Sequence, residues 1–271
     1  MFYLPNTPMK TFKHKTILLT GASSGIGEAM AFQLNDPTST LLLTARSTEK
    51  LNAMKHQLEK EGVHVETFPF DLSTPGAAGE LHQQIEEAGF APDVLINNAG
   101  FGIRGRFEDA SAEELENMLT LNVTNLVSLT RHCLPHMLDS GDAGILNVAS
   151  TGAYQPVPFF ASYAASKTFV LFFSEALYDE YAGRGITVTC LSPGSTRTNF
   201  HDRADSPRKI FGPQESAEKV ARVGLEALLN GKRARISGIQ NMISSYLGYF
   251  APRMVSTAVG KYLFSPEKPA H

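Results

Sequence analysis

The chain is poor in thiols: its 271 residues include two cysteines, Cys133 and Cys190, each inside an apolar segment. That excludes a disulfide framework and reads as reduced core cysteine in a cytoplasmic protein. Long apolar runs are missing too. No stretch of 18 or more apolar residues occurs, so no membrane-spanning helix is predicted. The first fifteen residues are polar, contain Pro5 and Pro8, and have no apolar stretch of the kind a signal peptide carries. A charge excess is also lacking. Twenty-four Lys and Arg stand against 27 Asp and Glu, a net charge of -3, and no basic stripe points to a nucleic-acid partner. Internal repeats and low-complexity linkers are absent. What is present is 42% hydrophobic residues, ample for one sizeable core.

Those residues come as short apolar runs alternating with helical patterns. Strands are predicted at 16–20 (TILLT), 40–44 (TLLLT), 63–68, 93–97 (DVLIN), 144–149 (GILNVA), 186–191 (ITVTCL) and 233–237. Helices are predicted at 25–34, 49–61, 77–88, 161–181 and 214–229. The stretch 111–138 reads as one long helix or two joined ones, opened by a Ser-Ala-Glu-Glu capping box. Strands that are apolar throughout have both faces covered. Repeated alternation of strand and helix implies an α/β fold, a doubly wound sheet of about seven parallel strands with helices on both faces. Ligands of such sheets sit beyond the carboxyl ends of the strands, and the chemically interesting residues do follow strands.

Directly after the first strand comes Thr20-Gly21-Ala22-Ser23-Ser24-Gly25-Ile26-Gly27. Glycines let a backbone turn sharply and approach a pyrophosphate, and the following helix N-terminus offers free N–H groups to the anion. The second strand ends in Thr44-Ala45-Arg46-Ser47. An NAD site normally carries an acid here for the ribose hydroxyls, whereas an arginine suits the 2′-phosphate of NADP. Ala45 removes the acid and Arg46 supplies the cation, so NADP(H) is preferred to NAD(H).

Tyr163 and Lys167 are four residues apart and share one helix face. A lysine beside a tyrosine favours phenolate and is expected to lower the phenol pKa, making Tyr163 a proton donor and acceptor near neutral pH. Ser150, thirteen residues before Tyr163, follows a strand and is placed to donate to a substrate oxygen.

Taken with Asn97–Gly100 (NNAG) and Pro193–Thr198 (PGSTRT), these motifs make the chain resemble the short-chain dehydrogenase/reductase family over nearly its whole length. Asn122 stands 25 residues after Asn97, where that family places a fourth catalytic residue. The resemblance implies an NADP(H)-dependent oxidoreductase moving a hydride between nicotinamide and a carbonyl or hydroxyl carbon. Tyr163 would exchange the proton, Lys167 would lower its pKa and hold the nicotinamide ribose, Ser150 would polarise the substrate oxygen, and Asn122 would anchor a relay water. Gly21, Ser23, Ser24, Gly25, Ile26 and Gly27 would hold the phosphates, with Arg46. Asp71 would contact adenine, and Asn98, Ala99 and Gly100 would line the cleft. Pro193, Gly194, Thr196 and Thr198 would hold the carboxamide end. The division implied is an N-terminal extension over 1–15, a Rossmann-like domain over 16–238 with a substrate loop near 195–213, and a C-terminal helical segment over 239–271 of the same domain. A homodimer or homotetramer is implied as well. A cofactor-sensing protein would have no need of Tyr163 and Lys167; an epimerase or dehydratase on the same scaffold is the other alternative.

No metal is required, since the nicotinamide carries the hydride. His132 and His136 have ligand-like spacing, but Pro135 lies between them and no acidic third ligand is near, so they read as packing or surface residues. The Asn122-Val-Thr sequon lies in a helix and carries little meaning. Three loops, 101–107, 151–160 and 195–211, carry Phe101, Phe107, Tyr154, Phe159, Phe160, Phe200 and Phe211, which points to a bulky or apolar small-molecule carbonyl or alcohol. The charged segment 198–212 suits a lid. The apolar stretch after residue 239 reads as a closure of the pocket or a subunit contact in preference to a shallow membrane contact beside Arg253 and Lys261.

Overall fold

The computed structural model describes residues 8–198 and 214–265. Seven strands form one parallel sheet: β1 (Thr16–Thr20), β2 (Thr40–Ala45), β3 (His64–Pro69), β4 (Val94–Asn97), β5 (Ala143–Val148), β6 (Ile186–Ser192) and β9 (Ala234–Ile236). Their order is β3-β2-β1-β4-β5-β6-β9. The chain winds outward from β1 in both directions, so the switch point lies between β1 and β4, where a crevice opens beyond the carboxyl ends. Two further strands, β7 (Thr196–Arg197) and β8 (Glu215–Ser216), form a separate parallel pair.

Side chains alternate along each strand, and this splits the core into two layers. Ile17 and Leu19 of β1 pack with Leu41 and Leu43 against α1 (Gly25–Gln33), α2 (Thr48–Lys60) and α7 (Ala217–Leu229). Leu18 and Leu42 point the other way, against α3 (Ala77–Glu87), α5 (Asn125–Ser140) and α6 (Ala161–Glu180). The α/β fold with seven parallel strands expected from the apolar runs is the one observed. Met9, inside the segment read as an extension, is 1% exposed in the first layer, and its N–H donates to Thr187 Oγ1 at 2.7 Å.

The stretch 111–138 is two helices and something between them. α4 (Ala112–Leu119) is capped by Ser111, whose hydroxyl accepts the Glu114 N–H while the Glu114 carboxylate accepts the Ser111 N–H, the reciprocal box the sequence announced. A π turn, Thr120–Thr124, then joins α4 to α5. Such insertions recur at functional sites, and this one contains Asn122. After β9, α8 (Ile239–Phe250) and α9 (Arg253–Phe264) form a helix pair broken at Pro252, which cannot continue a helix it does not begin. No helix among the described residues is long and apolar enough to cross a membrane.

Candidate active site

The glycine loop and the NNAG segment are bolted together across the adjacent strands β1 and β4. Thr20 Oγ1 accepts the N–H groups of Asn98 and Ala99, each at 3.0 Å, and donates to the Ile96 carbonyl at 3.3 Å. The Asn98 amide donates to the carbonyls of Thr20 and Gly21 at 3.0 and 3.2 Å. Gly21 has φ +67, a conformation costly for any other residue. A Cβ at Gly27 would collide with the Gly21 carbonyl oxygen, so only glycine there lets α1 start hard against the loop.

At the far end of the crevice Arg46, Ser47 and Lys50 face Asp71 and Ser73. Ser47 caps α2 by accepting the Lys50 N–H. Burial works to raise the Asp71 carboxyl, but the Ser73 hydroxyl at 2.6 Å, the Ser73 N–H at 3.0 Å and the Arg46 cation outweigh it and hold the group below the usual carboxylate range.

Beyond β5, Ser150 Oγ accepts the Gly152 N–H at 3.1 Å and hydrogen-bonds the Tyr163 phenol. Tyr163 and Lys167 lie on the first turns of α6, 7% and 4% exposed. Lys167 Nζ donates to the Val148 carbonyl at 2.9 Å and sits 5.9 Å from the Tyr163 ring centre. Asn122 is fully buried, and its side chain is spent on protein: Nδ2 donates to the Phe101 carbonyl at 2.9 Å and to Ser166 Oγ at 3.0 Å, and Oδ1 accepts the Phe101 N–H at 3.2 Å. Below the site, Asn97 donates to Thr130 Oγ1 and Asn147 Oδ1, and Asn147 donates to Ser174 Oγ. This buried network ties β4 and β5 to α5 and α6.

The phenol differs from the expectation of a lowered pKa. Burial pushes Tyr163 up to about 12, with the Ser150 hydrogen bond pulling weakly back. Burial likewise draws Lys167 down to about 8. Lys167 points its protons at Val148, so desolvation decides both groups. The Cys133 and Cys190 thiols are raised to about 12 by the same cause, which leaves them inert at neutral pH.

The Lys167 shift has a measurable consequence for the protein without cofactor. Below pH 8 both folded and unfolded chains hold the lysine proton, and the cost of burying the charge is fully present. Between about 8 and the ordinary 10.5 the unfolded chain holds more protons, so stability rises with pH. Lys167→Met is therefore expected to be more stable than the parent at pH 7, by on the order of 1–3 kcal/mol after loss of the Val148 hydrogen bond. Urea unfolding of both proteins should show that gap shrinking as pH rises from 8 to 10. A constant gap would mean that the buried charge carries no penalty.

These groups share one cavity of about 970 Å³. Gly21, Ser23, Ser24, Gly25, Ile26, Arg46, Asp71, Asn98, Ala99, Gly100, Ser150, Tyr163, Lys167, Pro193, Gly194, Thr196 and Thr198 all line it. Two expected site residues do not. Gly27 is buried behind the loop, where its role is close packing, and Asn122 acts from behind Gly100, holding Phe101 and Ser166 in place. Of the expected aromatic residues, Phe101 and Phe160 line the cavity. Phe107 and Phe159 border a smaller pocket, and Tyr154 packs against Tyr246 and Tyr249 at 6.3 and 6.4 Å between ring centres. Phe200, Phe211 and all of the suggested lid except Thr198 lie outside the described residues.

The far wall was not foreseen in detail. Asn241, Ser244, Ser245 and Gly248 of α8 line the cavity, with Gln155 alongside. Their spacing of three, four and seven is a small polar stripe on an apolar helix, a signal present in the sequence. Val255, Val259, Leu263 and Phe264 of α9 add an apolar wall. Arg104 clamps that helix by donating from Nη2 to the carbonyls of Phe264 and Ser265 at 3.1 and 3.2 Å, a cation at a helix C-terminus. The two histidines have local partners: His132 stacks on His82 at 5.2 Å and His136 Nε2 meets Asp93 Oδ1 at 3.3 Å.

Residues 15–209 match the short chain dehydrogenase family. The chain belongs to that family. A protein named ketoacyl reductase HetN, from Nostoc sp. (strain PCC 7120), is 31% identical over 242 residues, covering 88% of this chain and 83% of its own. The structure of a short-chain dehydrogenase from Sphingobium yanoikuyae in complex with NADPH superposes with a TM-score of 0.77 at 28% identity, covering 95% of this chain and 98% of that one. L-sorbose reductase from Gluconobacter frateurii, solved with NADPH and L-sorbose, gives 0.72 at 26% identity over 86% and 98%. This short-chain dehydrogenase is an NAD(P)-dependent oxidoreductase. Its residues fit the dinucleotide: Gly25, at φ +60, opens α1 where a Cβ would strike Thr198, and one cavity takes in both Arg46 and Lys167.

Proposed function

We propose that this protein is an NADP(H)-dependent carbonyl reductase acting on a bulky, largely apolar ketone, with Ser150, Tyr163 and Lys167 as its catalytic residues and Asn122 as a positioning residue. The observation that carries the reading is one cavity with two cations, Arg46 and Lys50, at one end, the Ser150–Tyr163–Lys167 cluster in the middle and apolar walls at the other. Arg46, Lys50 and Ser47 suit a 2′-phosphate, and no carboxylate occupies the end of β2 to compete for ribose hydroxyls.

When bound, the cofactor supplies the hydride. The chain's own groups do the rest. Ser150 donates to the carbonyl oxygen and fixes its position within hydrogen-bond distance of the phenol, about 2.6–3.2 Å. Tyr163 is a neutral phenol at pH 7, as an ordinary phenol is, and burial, which raises it to about 12, keeps it so; it arrives holding the proton that reduction consumes. Negative charge developing on the carbonyl oxygen draws that proton. Lys167, with a pKa of about 8, is mostly protonated at pH 7 and stabilises the phenolate left behind. Asn122 keeps Phe101 and Ser166 where these distances hold. Val157, Phe160, Val259, Leu263 and Phe264 exclude water and accept an apolar body. The ketoacyl reductase named among the relatives is consistent with a ketone carried on an acyl chain.

The test is a panel of ketones of increasing bulk, from small hydroxyketones to steroid and long-chain acyl ketones, with loss of NADPH as the readout. The expected result is kcat/KM rising with apolar area. Highest efficiency on a small sugar ketone, or NADH used better than NADPH, would overturn the reading.

A further inference from the structure

The inner faces of α8 and α9 close the cavity; their outer faces are apolar and open. Ile243, Tyr246, Phe250, Met254 and Tyr262 are all about half exposed or more, the last two at 86%. Leu247, Val255 and Val259 are exposed and also line the cavity, so the apolar face is continuous with the cavity wall. The charge here is of one sign. Residues 227–265 contain no Asp or Glu, and carry Lys232, Arg233, Arg235, Arg253 and Lys261. Arg233 pairs with Asp179 at 2.7 Å, whereas Arg253 and Lys261 stand on α9 itself.

We propose that this face docks on an anionic phospholipid bilayer, from which the cavity draws a lipid-dissolved ketone. Two helices of 12 residues reach about 18 Å each, too short to span a hydrocarbon core of about 30 Å and long enough to lie in its surface. Tyr246, Tyr249 and Tyr262 have the half-apolar, half-polar character that favours headgroup depth. A second copy of this chain fits less well. A two-fold contact sets the face against itself, bringing Arg253 and Lys261 against like charges with no carboxylate in the segment to pair with them, whereas anionic headgroups supply the counter-charge.

The docking stands without the carbonyl-reductase reading; the substrate source rests on it. The full chain is sedimented with vesicles of equal parts phosphatidylglycerol and phosphatidylcholine, and with phosphatidylcholine alone. The expected result is about 30-fold tighter binding to the anionic vesicles, from about fivefold per cation. R253Q with K261Q should erase that preference. F250S with M254S and Y262S, none of which lines the cavity, should weaken binding to both vesicle types at least tenfold. Equal binding to both vesicles by the parent protein, or a triple variant that binds as the parent does, overturns the proposal. So does a solution mass, measured without lipid, that halves in the triple variant, since a second copy then covers the face. Binding is read without turnover, so a protein that docks but reduces no ketone sinks the carbonyl-reductase reading and leaves the docking intact.

Discussion

Tyr163→Phe should lose turnover by about a thousandfold or more while the dissociation constant for NADPH moves only a few-fold. Removal of a positioned general acid costs about 10²- to 10⁴-fold, and the upper part of that range applies because the substitution is otherwise conservative. The ring stays packed on Phe160, at 4.4 Å between centres, and against Gly102, where no Cβ has room. Only the hydroxyl goes, and with it the hydrogen bond to Ser150. Loss of that oxygen removes the protonated phenol that hydrogen-bonds Ser150. Stopped-flow or steady-state loss of NADPH, together with cofactor titration by fluorescence, separates the two effects. A variant that keeps more than a tenth of the activity would show that proton transfer comes from elsewhere, and a variant that loses cofactor binding in parallel would assign Tyr163 to the dinucleotide rather than to the chemistry.

Arg46→Ala carries the second large effect. A charge-assisted hydrogen bond to phosphate contributes about 1.5–3 kcal/mol, which is roughly 10- to 150-fold in affinity. The expected loss for NADPH is near the upper end, because Arg46 also offsets Asp71. Without the cation, the Asp71 carboxylate faces the incoming phosphate with only Ser73 to occupy it. NADH has no 2′-phosphate, and its affinity should change less than threefold. Arg46 is exposed, so the NADPH effect should shrink with added salt. Lys50 lines the same end and should leave a residual preference that Arg46→Ala with Lys50→Ala abolishes. Equal losses for the two cofactors would end the NADP assignment.

Much of the fold was legible because its determinants are local. Runs such as TILLT and TLLLT are apolar on both faces, which only a covered parallel strand satisfies, and the helices between them made a doubly wound sheet the economical solution. The glycine turn after β1 and the Tyr163–Lys167 spacing are also local: positive φ and an i,i+4 face need no knowledge of the rest of the chain. The 111–138 stretch was harder. A helical pattern runs through it without a break, and the π turn that swings Asn122 behind Gly100 changes the pattern by a single residue.

By itself the sequence determined the strand order's raw material, the phosphate turn and the pairing of a phenol with an ammonium on one helix face, since each is a matter of backbone conformation or of residues a turn apart. Tertiary structure alone decided the sign of the phenol's shift, the spending of Asn122 on Phe101 and Ser166, and the choice of which stripe of α8 faces the cavity and which faces outward. Those outcomes depend on desolvation and packing between elements distant in the chain, and neither quantity is a property of any short stretch of residues.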